Sequence, residues 1–432
     1  MIKQLFLMDA PAAVFSFRER TLYFLCLFFF LSIFLPGPSW LYNVVMWIIF
    51  VYSFFYNGLR EKWQILQQRP AMQWLIIFFL YNCVSIAWSA NLKESISWIG
   101  IRISLLVFPV ALGSILIGAR LRQRLVLGFV LSTLLGAIVC LLHALPIASV
   151  QHDASLLYND NLSDFIHLQS IYMAMLVNLA LISAAWLFIV KSPLMGRGLF
   201  IFIALLLLPV HFLLASRIAI LLLYGIILLF ALYMMLVKKM FRQGVLLACG
   251  LLLAAALLLL IFPKTINRFK ELGYTKFNYS NTGRESHFNM ALTPDQWNGA
   301  NLRMAVWGCA WTVARHNFLL GTGVGDKMDE LKKQYAAKGF TFGISTNRNV
   351  HNTYLDIWLS LGLLGLLLFM AGFVFSFKAC ITAGDWPGIL ILACLCISII
   401  SETYIDRTIG NTILSFFFAF IASYKKPAKE VA

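Results

Sequence analysis

The chain has 432 residues, 61% of them hydrophobic and only 12% charged, with a formal net charge of +16. A soluble domain is about half apolar and about a quarter charged, so these proportions exclude an ordinary soluble protein and point to a chain that crosses a bilayer many times. In a soluble protein the positive balance would suggest nucleic acid; here it follows from the basic loops that set membrane topology, and no nucleic-acid partner is expected.

A membrane-spanning helix needs about 20 apolar residues. Taken in order, the candidates are 21–35, 40–57, 71–89, 97–117, 124–147, 166–190, 199–214, 217–237, 243–262, 353–377, 387–402 and 408–424. The first ends at Pro36-Gly37-Pro38 with no small-residue cleavage site, so it reads as a retained span and not as a cleaved leader. Leu199 to Leu236 is too long for one span; Pro209 and Ser216-Arg217 divide it into two short helices joined by a tight turn. With the N-terminus placed in the cytoplasm, eighteen Lys and Arg residues fall in inner loops, against four (Lys93, Arg102, Arg217, Arg407) in the short outer connections. That asymmetry is the positive-inside pattern. The eight cysteines lie mostly in or beside apolar runs, with only Cys309 in a polar segment, which is neither a disulfide framework nor a zinc pattern.

The expected architecture is an all-α polytopic membrane protein of about 12 transmembrane helices. Residues 1–262 would hold helices 1–9, residues 263–352 a helical outer segment, and residues 353–432 helices 10–12 and a cytoplasmic tail. Within the outer segment, Asn301–Arg315 reads as one helix, with Arg303, Trp307 and Trp311 at one-turn spacing. Asp326–Lys338 reads as a second helix stopped by Gly339, and the polar stretch 275–300 reads as irregular.

An arginine in a span is costly, so Arg102 near the outer end of the fourth span and Arg217 at the turn before the eighth need a reason. One is snorkelling to lipid headgroups; the other is an anion site facing a polar cavity. Arg303 and Arg348 add two guanidiniums on the same side, and arginine is suited to planar, bidentate recognition of phosphate. His351 precedes an apolar helix with Asn352 and Thr353 as candidate caps, and a neutral imidazole there suits a general base. Gly321, Gly323 and Gly325 are expected to form a flexible turn, and Asp326, Asp329 and Glu330 a solvated helix face. Glu402, Asp406 and Arg407 form a charged set that pairs either with the arginines or internally. No Walker, H-E-x-x-H or G-x-S-x-G motif is present, so neither an ATP-driven pump nor a serine hydrolase has support.

The layout resembles the O-antigen ligase and O-antigen polymerase superfamily. The resemblance is carried by Ala215-Ser216-Arg217 opening a span, Arg303 with Trp307, the run from Asn317 to Gly325 (NFLLGTGVG), His351-Asn352-Thr353-Tyr354-Leu355, and Gly362-Leu363-Leu364-Gly365. It covers about 199–424; a proline often found before the glycine turn is replaced by Phe318-Leu319. The resemblance implies a GT-C-like, inverting glycosyltransferase that needs neither metal nor cofactor. It would sit in the bacterial inner membrane, with both termini cytoplasmic and its active site periplasmic. It would move a glycan from undecaprenyl diphosphate to a hydroxyl of lipid A–core, its partners being these two lipids and the surrounding bilayer. Arg217 and Arg303 would hold the diphosphate and His351 would activate the acceptor; Arg348 and Arg102 are added as further substrate-binding candidates. The alternatives are an O-antigen polymerase, a protein O-oligosaccharyltransferase, or a transporter of lipid-linked glycans.

Overall fold

The computed structural model describes residues 15–38, 40–261, 265, 269–283, 285 and 296–424. Among these residues the chain is helical, with β-type pairing confined to isolated bridges. The helices are α1 (Phe17–Phe34), α2 (Leu41–Tyr56), α3 (Leu59–Gln67), α4 (Pro70–Val84), α5 (Leu92–Arg102), α6 (Ser104–Ala111), α7 (Ala119–Val150), α8 (Asp160–Ser163) and α9 (Ser170–Ile189). They continue with α10 (Arg197–Leu213), α11 (Arg217–Leu236), α12 (Phe241–Ile261), α13 (Asn301–His316), α14 (Lys327–Ala337), α15 (Thr341–Ser345), α16 (Thr353–Ala383), α17 (Trp386–Ser398) and α18 (Thr408–Ala422). Each of the twelve apolar stretches is mostly helical in its described part. Among the described residues six helices are long and apolar enough to cross a bilayer, and the pair α2–α3, bent by 102°, makes a seventh if counted as one span. The helices α10, α17 and α18 are shorter. The N-terminal residues to 14, the tail from 425, and 284 and 286–295 of the stretch read as irregular lie outside the described residues.

Aromatic packing holds the centre of the bundle. Phe416 of α18 meets Phe29 and Phe30 of α1 and Phe108 of α6 with ring centroids 5.1–5.4 Å apart, and Phe129 of α7 meets Phe417 at 5.1 Å. Such edge and offset contacts add to the area term of burial. A second, smaller core lies in the outer segment, where Trp297, Val306, Cys309, Leu331, Tyr335 and Phe340 pack together from α13, α14 and the turns around them.

Two breaks prepare the site. The run Leu199–Leu236 divides at 214–216, where Ala215 adopts φ +48°; Pro209 stays inside α10. Helix α16 is interrupted at Gly362 (φ +68°, ψ −175°). The glycine turn read as flexible docks into this interruption. Its Thr322 and Gly323 N–H groups donate to the Leu359 and Ser360 carbonyls at 3.0 and 2.9 Å, and the Leu363 N–H donates to Phe318 O at 2.8 Å. The carbonyls and N–H groups released by the break are thus satisfied by the turn. A β-carbon on Gly362 would stand 2.1 Å from Leu319 O, so only glycine fits.

Candidate active site

A cavity of about 850 Å³ opens where the C-terminal end of α10, the N-terminal ends of α9, α11 and α16, and helix α13 meet. Arg217, Arg303, Arg348 and His351 all line it. The structure therefore brings together four of the five basic residues singled out in the sequence. Exposed Arg407 lines the same space.

Arg217 opens α11 directly after the Ala215 turn, and its Nη1 lies 3.4 Å from Glu271 Oε2. Arg303, in the first turn of α13, donates from Nη1 to Gly299 O at 2.7 Å. The two guanidiniums converge on Gly299. A β-carbon there would lie 2.6 Å from Arg217 Nη2 and 3.3 Å from Arg303 Nη1, so the missing side chain leaves the room in which they approach. Arg348 also reaches the cavity, in a short ion pair with Glu285, and Tyr335 Oη holds its backbone carbonyl at 3.0 Å.

His351 is placed with the most support. Its backbone is left-handed, φ +49°. Trp307 Nε1 of α13 donates to the preceding Val350 carbonyl at 2.9 Å. After it, Asn352 caps α16 by accepting the Leu355 N–H at 3.0 Å. The Thr353 hydroxyl donates to Glu402 O at 2.8 Å and accepts the Tyr404 N–H at 3.0 Å. These bonds stitch the start of α16 to the loop 399–404 and bring the Glu402 carboxylate to His351 Nδ1, with oxygens at 3.0 and 3.2 Å. Burial alone would raise the Glu402 carboxyl. The hydrogen bond and charge of His351, the charge of Arg303 and the Thr403 N–H outweigh it and hold the group below its usual range. An ionised carboxylate accepts and cannot donate, so Nδ1 carries a proton in either charge state of the ring, and in the neutral form Nε2 holds the lone pair.

Arg102, read from the sequence as a substrate-binding candidate, does not line the cavity. It is fully buried. It bonds to Asn82 Oδ1 at 2.6 Å and pairs with Asp356 and Asp406 at 3.5 and 3.3 Å. Lys327 completes the cluster, bonding both Asp356 oxygens at 3.0 Å, making a short contact to Asp406, and lying 4.1 Å from the Trp98 ring centroid. Two cations balance two carboxylates, the condition under which buried charge is tolerated. The cluster ties α5, α14, α16 and the loop before α18 into the cavity's base, and it explains why an arginine is affordable at that depth. Sequence reasoning missed Lys327, placing the helix it starts on a solvated face. It also left Glu271 and Asn159 unmarked; a lone acid in a long loop and a lone amide carry no spacing signal.

Backbone strain concentrates here. Asn159, Ala215, Asn347 and His351 all have φ between +48° and +55°, and all four line the cavity. Non-glycine residues held in this region cluster where a site imposes geometry.

Residues 200–370 match the family model described as O-antigen ligase (Wzy_C), so this part of the chain is similar to that family. No curated protein matches the chain. The matched range contains Arg217, Arg303, Arg348 and His351; Glu402 and the last two helices lie beyond it.

Proposed function

We propose that the chain, whose residues 200–370 match the O-antigen ligase family model, is an inverting glycosyltransferase using a lipid-diphosphate glycan donor. The observation that carries the reading is the single cavity in which Arg217, Arg303 and the Glu402-held His351 meet. Under this proposal the chain crosses the inner membrane twelve times, with both termini cytoplasmic and the cavity on the periplasmic face. The basic inner loops and the clustering of one set of helix ends around the cavity support that orientation.

A diphosphate is already a good leaving group. What speeds its departure is fixed positive charge where negative charge grows, and paired guanidiniums supply it in a site partly closed to water. Arg217 and Arg303 take this role, with Arg348 at the edge. The acceptor hydroxyl gives its proton to His351 Nε2 as its oxygen attacks the anomeric carbon. The bond from that carbon to the diphosphate oxygen breaks on the opposite face, the electron pair leaves with the diphosphate, and the anomeric centre inverts. Glu402 stabilises the imidazolium that forms and keeps the ring in the productive tautomer, as an orienting carboxylate does in hydrolytic triads. No step draws on ATP or a divalent ion.

The test is reconstitution. Purified protein with undecaprenyl-diphosphate glycan and lipid A–core is expected to cap lipid A–core in the presence of chelator and without nucleotide. Strict dependence on either would sink the mechanism. A longer lipid-linked glycan in place of capped lipid A–core would keep the chemistry and make the chain a polymerase.

A further inference from the structure

One cation on the cavity wall has no role in the mechanism above. Arg407 stands at the end of the loop 399–407, which joins α17 to α18, and it lines the cavity. Residues 402–406 of this loop are buried, and Arg407 is exposed. The charged residues around it are engaged elsewhere. Glu402 holds His351, and Asp406 turns into the buried cluster with Arg102 and Lys327. Arg217 and Arg348 pair with Glu271 and Glu285, and Asp160 accepts the Ser170 N–H at 2.7 Å. The backbone of Arg407 is fixed: its carbonyl accepts the Asn411 N–H at 3.0 Å and Asn411 Nδ2 at 3.2 Å, and its N–H donates to Tyr404 O at 3.3 Å. With both backbone groups engaged, the exposed surface of the residue is that of its side chain. The guanidinium forms no hydrogen bond or ion pair among the described residues.

A solvated guanidinium needs no ligand; what singles this one out is its place. Attack opposite the leaving group puts acceptor and diphosphate on opposite sides of the anomeric carbon. Arg217 and Arg303, on α11 and α13, serve the diphosphate side. The acceptor side is built by the loop 399–407, whose Glu402 fixes His351 Nδ1 and so sets where the acceptor hydroxyl must lie. The Asn352 N–H donates to Thr403 Oγ1 at 3.2 Å and the Thr353 N–H to Ile399 O at 2.9 Å, which locks this loop to the residues after His351. Arg407 is five residues beyond Glu402 on the same loop. We propose that Arg407 is a specificity-determining residue that binds a phosphate group carried by the acceptor saccharide. This deepens the function proposed above and rests on it. A guanidinium is suited to the paired oxygens of a phosphate, and a charge bound near the reacting hydroxyl holds the acceptor in register for attack.

The alternatives are that Arg407 faces only solvent and lipid headgroups, or that it adds a further charge on the donor diphosphate. Arg407→Gln separates them, since it removes the charge at an exposed position where little stability is lost. Transfer from undecaprenyl-diphosphate glycan is measured to lipid A–core and to lipid A–core freed of phosphate by a phosphatase, with donor affinity and thermal midpoint alongside. For the phosphorylated acceptor, KM is expected to rise about tenfold or more, as for loss of a hydrogen bond to a charged group, with kcat within a few-fold. Wild type should show the same rise with the dephosphorylated acceptor, and the variant no further rise. Donor affinity and the midpoint should be unchanged, and Arg407→Lys should recover part of the loss. An unchanged KM overturns the assignment and leaves Arg407 to solvent. Equal added losses on both acceptors overturn it as well, and weakened donor binding overturns it in favour of the diphosphate. In these three cases transfer by wild type still stands. Absence of transfer by wild type to either acceptor is instead a failure of the ligase reading, and the assignment falls with it.

Discussion

Buried arginine–aspartate pairing occurs at both ends of the bundle, and the two cases differ. At the end away from the cavity, Arg122 Nη2 lies 2.9 and 2.7 Å from the two oxygens of Asp385. Its guanidinium stands 4.1 Å from the Tyr424 ring centroid and 5.2 Å from that of Trp186. Asp385 also caps α17 by accepting the Gly388 N–H at 3.3 Å. One cation meets one carboxylate, and aromatic rings close over them. At the cavity end, Asp356 and Asp406 are each shared between Arg102 and Lys327, and Asp406 Oδ2 has no hydrogen-bond partner among the described residues. Asp406 and Trp98 are at once parts of this cluster and parts of the cavity wall. The first arrangement fixes helix ends. The second fixes helix ends and also borders a space, with strained backbone and further arginines around it. Buried charge by itself therefore does not mark a site here; the adjoining cavity and strain do.

The contrast predicts that substitutions at the two ends separate activity from stability. The largest effect on turnover is expected at His351. His351→Ala is expected to lower kcat about 10³-fold, in the range for loss of a general base, with donor affinity within a few-fold of wild type. A fully active His351→Ala enzyme would place the base elsewhere. Next is Arg303→Ala, expected to lower kcat/KM about 10²–10³-fold as for removal of one oxyanion-stabilising donor. Arg303→Lys should recover only part of this, because an ammonium keeps the charge and loses the planar fork. Full recovery by lysine would mean that charge alone suffices.

A smaller effect is expected at Glu402, a positioning residue. Glu402→Gln keeps the size and an acceptor oxygen but removes the charge, and is expected to lower kcat about tenfold with KM little changed. The carboxyl is held below its usual range in the fold, so its ionisation stabilises the folded state. That contribution is fully present above the ordinary carboxylate pKa and is lost as pH falls through the lowered one. The thermal midpoints of wild type and Glu402→Gln should therefore differ at neutral pH and converge in acid. A constant gap across that range would show that the carboxylate's charge is not what it contributes.

Much of this frame was readable from residues alone. Hydropathy located the apolar helices of the bundle, six or seven of which among the described residues are long enough to cross a bilayer, because a bilayer admits little besides a continuous apolar helix. The one-turn spacing of Arg303, Trp307 and Trp311 located α13, and breaker residues located the end of α14 and the turn at Arg217. The convergence of Arg217, Arg303 and His351 followed only from motif resemblance, since no local period links positions that far apart. Pairings between distant loops stayed hidden. His351 and Glu402 are 51 residues apart, and Arg102 and Asp406 are 304 apart. A lone arginine at a span end reads the same whether it faces phosphate or a buried aspartate, which is why Arg102 was placed with the substrate-binding set. The glycine turn was misread for a related reason: its partner, the interruption at Gly362, lies within an apolar run that shows no sign of a break except the glycine itself.

The smallest effect on turnover is expected at Arg122, and it tests the contrast most directly. Arg122→Ala leaves the Asp385 carboxylate buried without its guanidinium, a loss typically of about 3–5 kcal/mol when one partner of a buried pair is removed. It also strips the cation from between Tyr424 and Trp186. The thermal midpoint should fall by several degrees, and the C-terminal end of α18, joined to Ile117 by the Ser423 carbonyl at 2.8 Å, should become easier to cleave by protease. None of these contacts reaches the cavity. Below the melting transition, kcat/KM should stay within about twofold of wild type, the range of surface-like perturbations of the barrier. Arg122→Lys should restore stability only in part, because the carboxylate is held by a planar guanidinium stacked on aromatic rings. A drop in kcat/KM comparable to that of Arg303→Ala, measured on protein shown to be folded, would mean that the two ends are coupled along α16 or α7 and that the separation drawn between them is wrong.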